Sequence, residues 1–373
     1  MNLAEMLNYT DITELGRIAR SYNCQCSTHS KNELIQSILS TVGRQRVLDE
    51  LVAGMEKADI QFLNSLLFEE RKAFSLEDLM ARASNSRPEE KEGGEWNPRE
   101  LVTRFKQRGW LFNGYSRDTQ YLFQVPDDLK RRFTEALERH FAGKLDYLDT
   151  TPRVYRDEQN RLAEDLLVFL KMLMPSPLPV NPEGFLYKKQ VQQIVSQLSV
   201  QEEPVAKTAW RFGYGRRYRE YPIRFSFIYD YCFYHGLLQE EGTEVRLTPS
   251  GREVVESGVR ATVKELYTFW LRLYREPVPN LQALTHWLSR LAERWVTAES
   301  AAQVLCPLIK PYYYDTPQDI LESRVLPMLM HLGLVRIGAD DGGAAVIQVS
   351  ALGKSVIQGT WLPEEDKLNV ECK

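Results

Sequence analysis

Between Trp210 and Phe227 the chain interleaves Arg211, Arg216, Arg217, Arg219 and Arg224 with Tyr214, Tyr218 and Tyr221, and sets only Glu220 against them. Guanidinium groups pair with phosphate in bidentate fashion, phenol rings stack on unpaired bases, and Gly213 and Gly215 let a backbone come close. This run is therefore the expected nucleic-acid-binding segment, carried by Arg211, Arg216, Arg217, Arg219, Arg224, Tyr214 and Tyr218. The competing reading is a loop whose arginines pair with Glu240, Glu241 and Glu244 while its aromatics pack. Lys188 and Lys189 join the candidate set. They stand at an expected helix start, where cations oppose the macrodipole, and this hints at a phosphate partner, although a solvated pair also accounts for them.

No other set of residues makes a case for chemistry. The five His are scattered, and no Ser/His/Asp or Cys/His group can be assembled from them. Cys24-x-Cys26 with His29 lacks the second pair that a four-ligand zinc site needs. Gly353-Lys354-Ser355 imitates the end of a phosphate loop, but Gln348 stands where the first Gly must be. The expectation is a non-enzymatic protein with no metal and no cofactor.

Composition narrows the class further. The chain has 373 residues, 43% of them hydrophobic and 26% charged, enough for several cores and unlike a disordered protein. A formal net charge of −4 supplies no global attraction to nucleic acid, so any such binding must come from a local patch. The five Cys are odd in number and irregularly spaced, and the first twenty residues carry Glu5, Asp11 and Glu14 rather than an apolar leader core. A cytoplasmic protein without disulfides is expected. No apolar stretch approaches membrane-spanning length; the longest, Leu162 to Met174, is broken by Glu164, Asp165 and Lys171.

The positioning elements follow from one recurring cassette. His235-Gly236-Leu237-Leu238 ends an apolar helix at Gly and opens a strand; a polar turn follows, and Val245-Arg246-Leu247-Thr248-Pro249-Ser250-Gly251 closes it. Leu332-Gly333-Leu334-Val335 and Val349-Ser350-Ala351-Leu352-Gly353 repeat the pattern, and Gly109 to Pro126, with Asn113-Gly114, is a looser third form. Such a closing hairpin reads as the wing of a winged-helix domain, with Arg117 and Arg246 on or near the wings. Tyr147 to Tyr155 reads as a linker, Glu253 to Tyr274 as one helix, and Ile320 to Leu332 as a helix kinked at Pro327. The expected fold class is mainly α with small β-hairpins (α+β). It consists of a helical module (1–45) followed by winged-helix-like domains at 46–146, 150–260 and 261–373.

Two resemblances add to this. Ser30-Lys31 ahead of Glu33-Leu34-Ile35 and Ile38-Leu39 resembles the SAP module and the N-terminal RNA-binding helices of Rho terminators. Asn23 stands where those modules usually carry a turn Gly, and the link is longer. Gly184-Phe185-Leu186-Tyr187-Lys188-Lys189, with the two (Leu/Val)-(Thr/Ser)-x-x-Gly motifs, is similar to a bacterial helicase-associated family related to the N-terminal region of XPB-type (TFIIH) DNA helicases, over roughly residues 100–360. That resemblance implies an accessory role in DNA transactions, with duplex or forked DNA as ligand and a helicase or nuclease as protein partner. The alternative is a protein–protein adaptor that uses the same modules as docking platforms without touching nucleic acid.

Overall fold

Helices predominate in the computed structural model, with small antiparallel sheets between them. The structure describes residues 1–27, 29–69, 71–87, 96–205, 211–362 and 368, so Trp210 of the basic–aromatic run lies outside the described residues. The chain divides into two units, Met1–Leu145 and Asp146–Lys373, and the boundaries expected near residues 45 and 260 fall inside them.

The first unit comprises α1 (Leu3–Tyr9), α2 (Ile12–Ser21), α3 (Lys31–Val42), α4 (Gln45–Ala53), α5 (Lys57–Leu67), α6 (Leu76–Asn85), α7 (Pro98–Gln107), the short strands β1 (Phe112–Asn113) and β2 (Phe123–Gln124), and α8 (Asp127–Ala142). The local signals are those of good helix starts: the Asp11 and Ser30 side chains accept the amides of Glu14 and Glu33, and Pro98 opens α7 behind Asn97. Trp110 centres the core, with its ring edge-on to Phe105 and Phe133, each centroid 4.9 Å away. Its indole N–H donates to the Tyr22 hydroxyl at 2.8 Å, so burying the indole leaves no orphan donor.

The second unit comprises β3 (Val154–Arg156), α9 (Arg161–Leu173), β4 (Leu178–Pro179), α10 (Lys188–Gln197), α11 (Ile223–Tyr234), β5 (Leu238–Glu241), β6 (Glu244–Leu247), α12 (Pro249–Ser257), α13 (Val263–Leu273), α14 (Leu281–Leu291), β7 (Val296–Thr297), α15 (Ala298–Leu305), α16 (Pro317–Asp319), α17 (Leu326–His331), β8 (Val335–Ala339), β9 (Ala345–Val349) and α18 (Ala351–Gln358). Three expectations are corrected here. The supposed linker carries β3, an edge strand paired with β8 (Tyr155 opposite Gly338), and all three of its residues are exposed, so no apolar alternation announced it. The supposed single helix over 253–274 breaks at Gly258, whose φ of +67° ends α12, and Thr262 caps α13 afresh. In place of one helix kinked at Pro327, a π-helical stretch, Ile320–Val325, runs into α17 just ahead of the proline, which cannot donate and crowds the preceding turn.

One order of elements occurs three times: helix, short strand, two helices, then a hairpin whose second strand pairs back to that first strand. In the second unit, α9, β4, α10, α11, β5 and β6 make a sheet ordered β4-β6-β5. Likewise α14, β7, α15, α17, β8 and β9 make a sheet ordered β7-β9-β8, extended by β3. In the first unit, α5, Phe74, α6, α7, β1 and β2 repeat it in miniature, with Phe74 bridged to Phe123 through bonds of 2.9 and 2.8 Å.

The recurring glycines have a shared cause. Gly109, Gly236 and Gly333 adopt φ of +67°, +64° and +73° at the end of the last helix of each copy. The next amide returns to the carbonyl five residues back in each: Trp110 to Phe105 (2.9 Å), Leu237 to Cys232 (2.8 Å) and Leu334 to Leu329 (2.9 Å). In the two larger copies Thr248 and Ser350 donate their hydroxyls to the Gly236 and Gly333 carbonyls (2.6 and 3.0 Å) while capping the helix that follows. Three residues further on, Gly251 and Gly353 press so closely on the Leu237 and Leu334 carbonyls that a Cβ would overlap them. Thus Thr/Ser-x-x-Gly staples the closing strand to the helix end. Gly353→Ala should destabilise the second unit by about 1–3 kcal/mol in urea unfolding. By contrast Gly16→Ala, in α2 where a Cβ meets nothing within 4 Å, should stabilise the first unit by about 0.5–1 kcal/mol. Equal effects at the two sites would refute the staple.

Candidate functional site

The described part of the basic–aromatic run, from Arg211 onward, leads into α11 of the second unit and meets the β5–β6 hairpin through Glu240. Its arginines are largely spent on the unit's own carboxylates. Arg216 makes a fork-to-fork pair with Glu240 on β5, Nη1 to Oε1 at 2.5 Å and Nη2 to Oε2 at 2.7 Å, and lies over the Phe233 ring with its guanidinium carbon 3.9 Å from the centroid. Arg217 is buried and donates to the same carboxylate at 2.6 Å, and the Tyr229 hydroxyl adds a third donor at 2.8 Å. Burial works to raise the Glu240 pKa, but the bonds from Arg216, Arg217 and Tyr229 outweigh it and hold the carboxyl down at about 2.

Arg224 is fully buried in α11. Its Nη1 lies 2.6 Å from Asp165 of α9 and its Nε 3.3 Å from Glu158, which also takes Arg156 (2.6 Å) and His331 Nδ1 (3.0 Å). Asp165 further accepts the Ser199 amide and hydroxyl at 2.7 and 2.8 Å. Burial alone would raise the Glu158 pKa; His331, Arg156 and Arg224 reverse it to a net lowering. Arg211 is half-buried and donates to the Tyr221 carbonyl at 2.6 Å. Tyr214 is buried, with its hydroxyl donating to Asp315 at 2.9 Å, and Asp315 is in turn clasped by Arg324 at 2.8 and 3.0 Å.

Four members of the candidate set have a different setting. Arg219 is exposed, and its Nε reaches the Tyr218 hydroxyl at 3.2 Å, with the ring half-exposed. Lys188 and Lys189 are exposed at the start of α10; Lys188 Nζ donates to the Val205 carbonyl at 3.2 Å. The structure thus brings Arg216 and Arg217 together on one carboxylate and Arg211, Tyr214 and Arg224 into the packed interior. It leaves Arg219, Tyr218, Lys188 and Lys189 at the surface.

Two groups were missed in the sequence. Glu158 and Asp165, the anchors of Arg224, lie some sixty residues upstream with nothing to tie them to it. The consecutive Tyr312, Tyr313 and Tyr314 were in plain view and pack around Phe212. Asp230 is also notable. It is completely buried, and desolvation pushes its pKa up to about 7 against the pull of the Arg216 amide on Oδ2 (2.8 Å). Its Oδ1 has no hydrogen-bond partner among the described residues, and the residue lines a narrow water-sized cavity together with Tyr214, Tyr218, Ser226 and Tyr274. Among the described residues no His, Cys, Asp and Glu cluster suits a metal ion, and no helix is long and apolar enough to cross a membrane. The sequence matches no family model and no curated protein.

Arg224→Ala leaves Asp165 buried without its cation and takes one of three basic partners from Glu158, and should cost about 3–5 kcal/mol in urea unfolding; a loss below about 1 kcal/mol would contradict the ion-pair account. Because the folded Asp230 pKa is raised, the folded state holds a proton that the unfolded chain releases between about pH 4 and pH 7. Its contribution to stability is therefore full below that window and lost as pH rises through it. Asp230→Asn should flatten this part of the stability profile, and an unchanged slope would show that Asp230 does not titrate there.

Proposed function

We propose that this chain is a non-enzymatic DNA-binding accessory protein whose three copies of the repeated element order are winged-helix modules. The observation that carries the reading is the topology itself: each copy closes with a hairpin whose last strand returns to the short strand ahead of the helix pair. In such a module the second helix of that pair enters the major groove and the hairpin flanks it. The resemblance through Gly184–Lys189 and the two Thr/Ser-x-x-Gly motifs favours work beside a helicase or nuclease on duplex or forked DNA.

The copies differ in what they leave available. Helix α11 is buried over most of its surface, including Arg224, and α17 is likewise packed in. Helix α7 has another character. Leu101, Val102 and Phe105 face the core, while Arg99, Thr103 and Gln107 form an exposed stripe at i, i+4 and i+8. Its hairpin carries exposed Arg117 and Tyr121. Duplex contact is therefore assigned to α7 and its wing, in place of the 211–224 run. A few such phosphate contacts suit a chain of net charge −4, giving modest, salt-sensitive affinity, with a slope of roughly −0.9 per phosphate.

The adaptor alternative has its own support, since the carboxylates of the second unit neutralise most of the basic run internally. Titration of a labelled duplex at low and moderate salt separates the two. Arg99→Glu combined with Arg117→Glu should weaken duplex binding at least about tenfold without changing the unfolding midpoint. Absence of duplex binding at low salt would leave the adaptor reading; unchanged binding by the variant would remove α7 and its wing as the contact.

A further inference from the structure

The aromatic half of the basic–aromatic run meets a second set of rings. Phe212 has its centroid 5.5 Å from Tyr314 and 6.2 Å from each of Tyr312 and Tyr313, in mostly edge-on geometry. On the other side Tyr218 lies against Gly213, where a Cβ would come within 3.0 Å of its ring, and Arg219 caps the Tyr218 hydroxyl. The result is a continuous ridge from Arg219 through Tyr218 and Phe212 to Tyr313 and Tyr314.

Adjacent exposed rings make a contiguous apolar patch, the kind of surface that marks a binding site. Tyr313 is 81% and Tyr314 70% exposed. Tyr313 also holds φ of +50°, a left-handed backbone that side chains with a Cβ rarely adopt. The base of the turn is fixed: the Tyr312 and Asp315 amides each donate to the other's carbonyl at 3.0 Å, and Asp315 is buried under Arg324 and Tyr214. That clamp uses up the turn's own carboxylate, so Asp315 puts no negative charge beside the exposed rings, while Arg219 stands exposed on the Tyr218 hydroxyl.

We infer that this ridge binds an unpaired nucleic-acid strand, with bases stacking on Tyr313 and Tyr314 and phosphates near Arg219. Rigid exposed rings beside a cation suit sequence-independent stacking, because every base has a face to offer. The inference deepens the DNA-binding reading, giving the unpaired arm of a fork its own place, and it stands or falls by a separate assay.

The test uses the full chain and a labelled oligothymidylate at low salt, beside the labelled duplex. Tyr313→Ala combined with Tyr314→Ala should weaken oligothymidylate binding at least about tenfold and leave duplex binding as it was. Tyr313→Phe combined with Tyr314→Phe should retain it. Tyr313→Gly relieves the backbone, so its thermal midpoint should equal or exceed that of the parent while single-strand affinity falls. An oligothymidylate that fails to bind the parent at low salt overturns the inference, as does unaltered binding by the alanine pair. A proline-rich peptide captured by the ridge in its place does the same. Tyrosine-dependent single-strand binding without any duplex binding would instead remove the α7 assignment and keep the ridge.

Discussion

Glu240 accepts from Arg216, Arg217 and Tyr229, and the second unit is arranged around that convergence. Three donors reach one carboxylate from the segment before α11, from α11 itself and across to strand β5. A bidentate guanidinium pair that is partly shielded from water is geometrically demanding, so it sets the path of the chain as well as adding stability. With the fork in place, Arg216 also lies over Phe233 and its amide reaches Asp230. Removing the carboxylate would leave two cations crowded together with their partner gone. That asymmetry makes the node a constraint on the fold.

A second layer of charge lies deeper. Arg224, Glu158, Asp165, Arg156 and His331 join α11, α9, the stretch after β3 and the end of α17. Buried ion networks add little net stability over apolar packing, but they tolerate only one arrangement of their members. Here the network ties the two repeated element orders of the second unit to each other. The glycine staples do comparable work with uncharged parts, through a left-handed helix end, a returning amide and a hydroxyl that both caps and clamps.

What was legible in the sequence was what local chemistry decides. Caps at Asp11 and Ser30, the start at Pro98 and the stops at Gly109, Gly236 and Gly333 all follow from backbone rules that act over a few residues. The Leu/Val-(Thr/Ser)-x-x-Gly repeat was readable for the same reason. Strand β3 was not, because an exposed edge strand of three residues needs no apolar alternation and owes its existence to β8, far along the chain. The fate of the arginines was legible only in part. Arg216 and Arg217 found a carboxylate among those within view, whereas Arg224 found Glu158 and Asp165, which no spacing rule connects to it. A basic run in a sequence gives the number of cations and the carboxylates nearby, but not the distant ones that the fold brings to them.

The account turns on whether the charges of the 211–224 segment belong to the fold. A double-mutant cycle between Arg216→Met and Glu240→Gln, read by urea unfolding, isolates their interaction from the cost of each truncation. The structure predicts a favourable coupling of about 1–3 kcal/mol. A coupling within about 0.3 kcal/mol of zero would mean the two side chains are independent, and the run would return to being a basic surface available to a ligand.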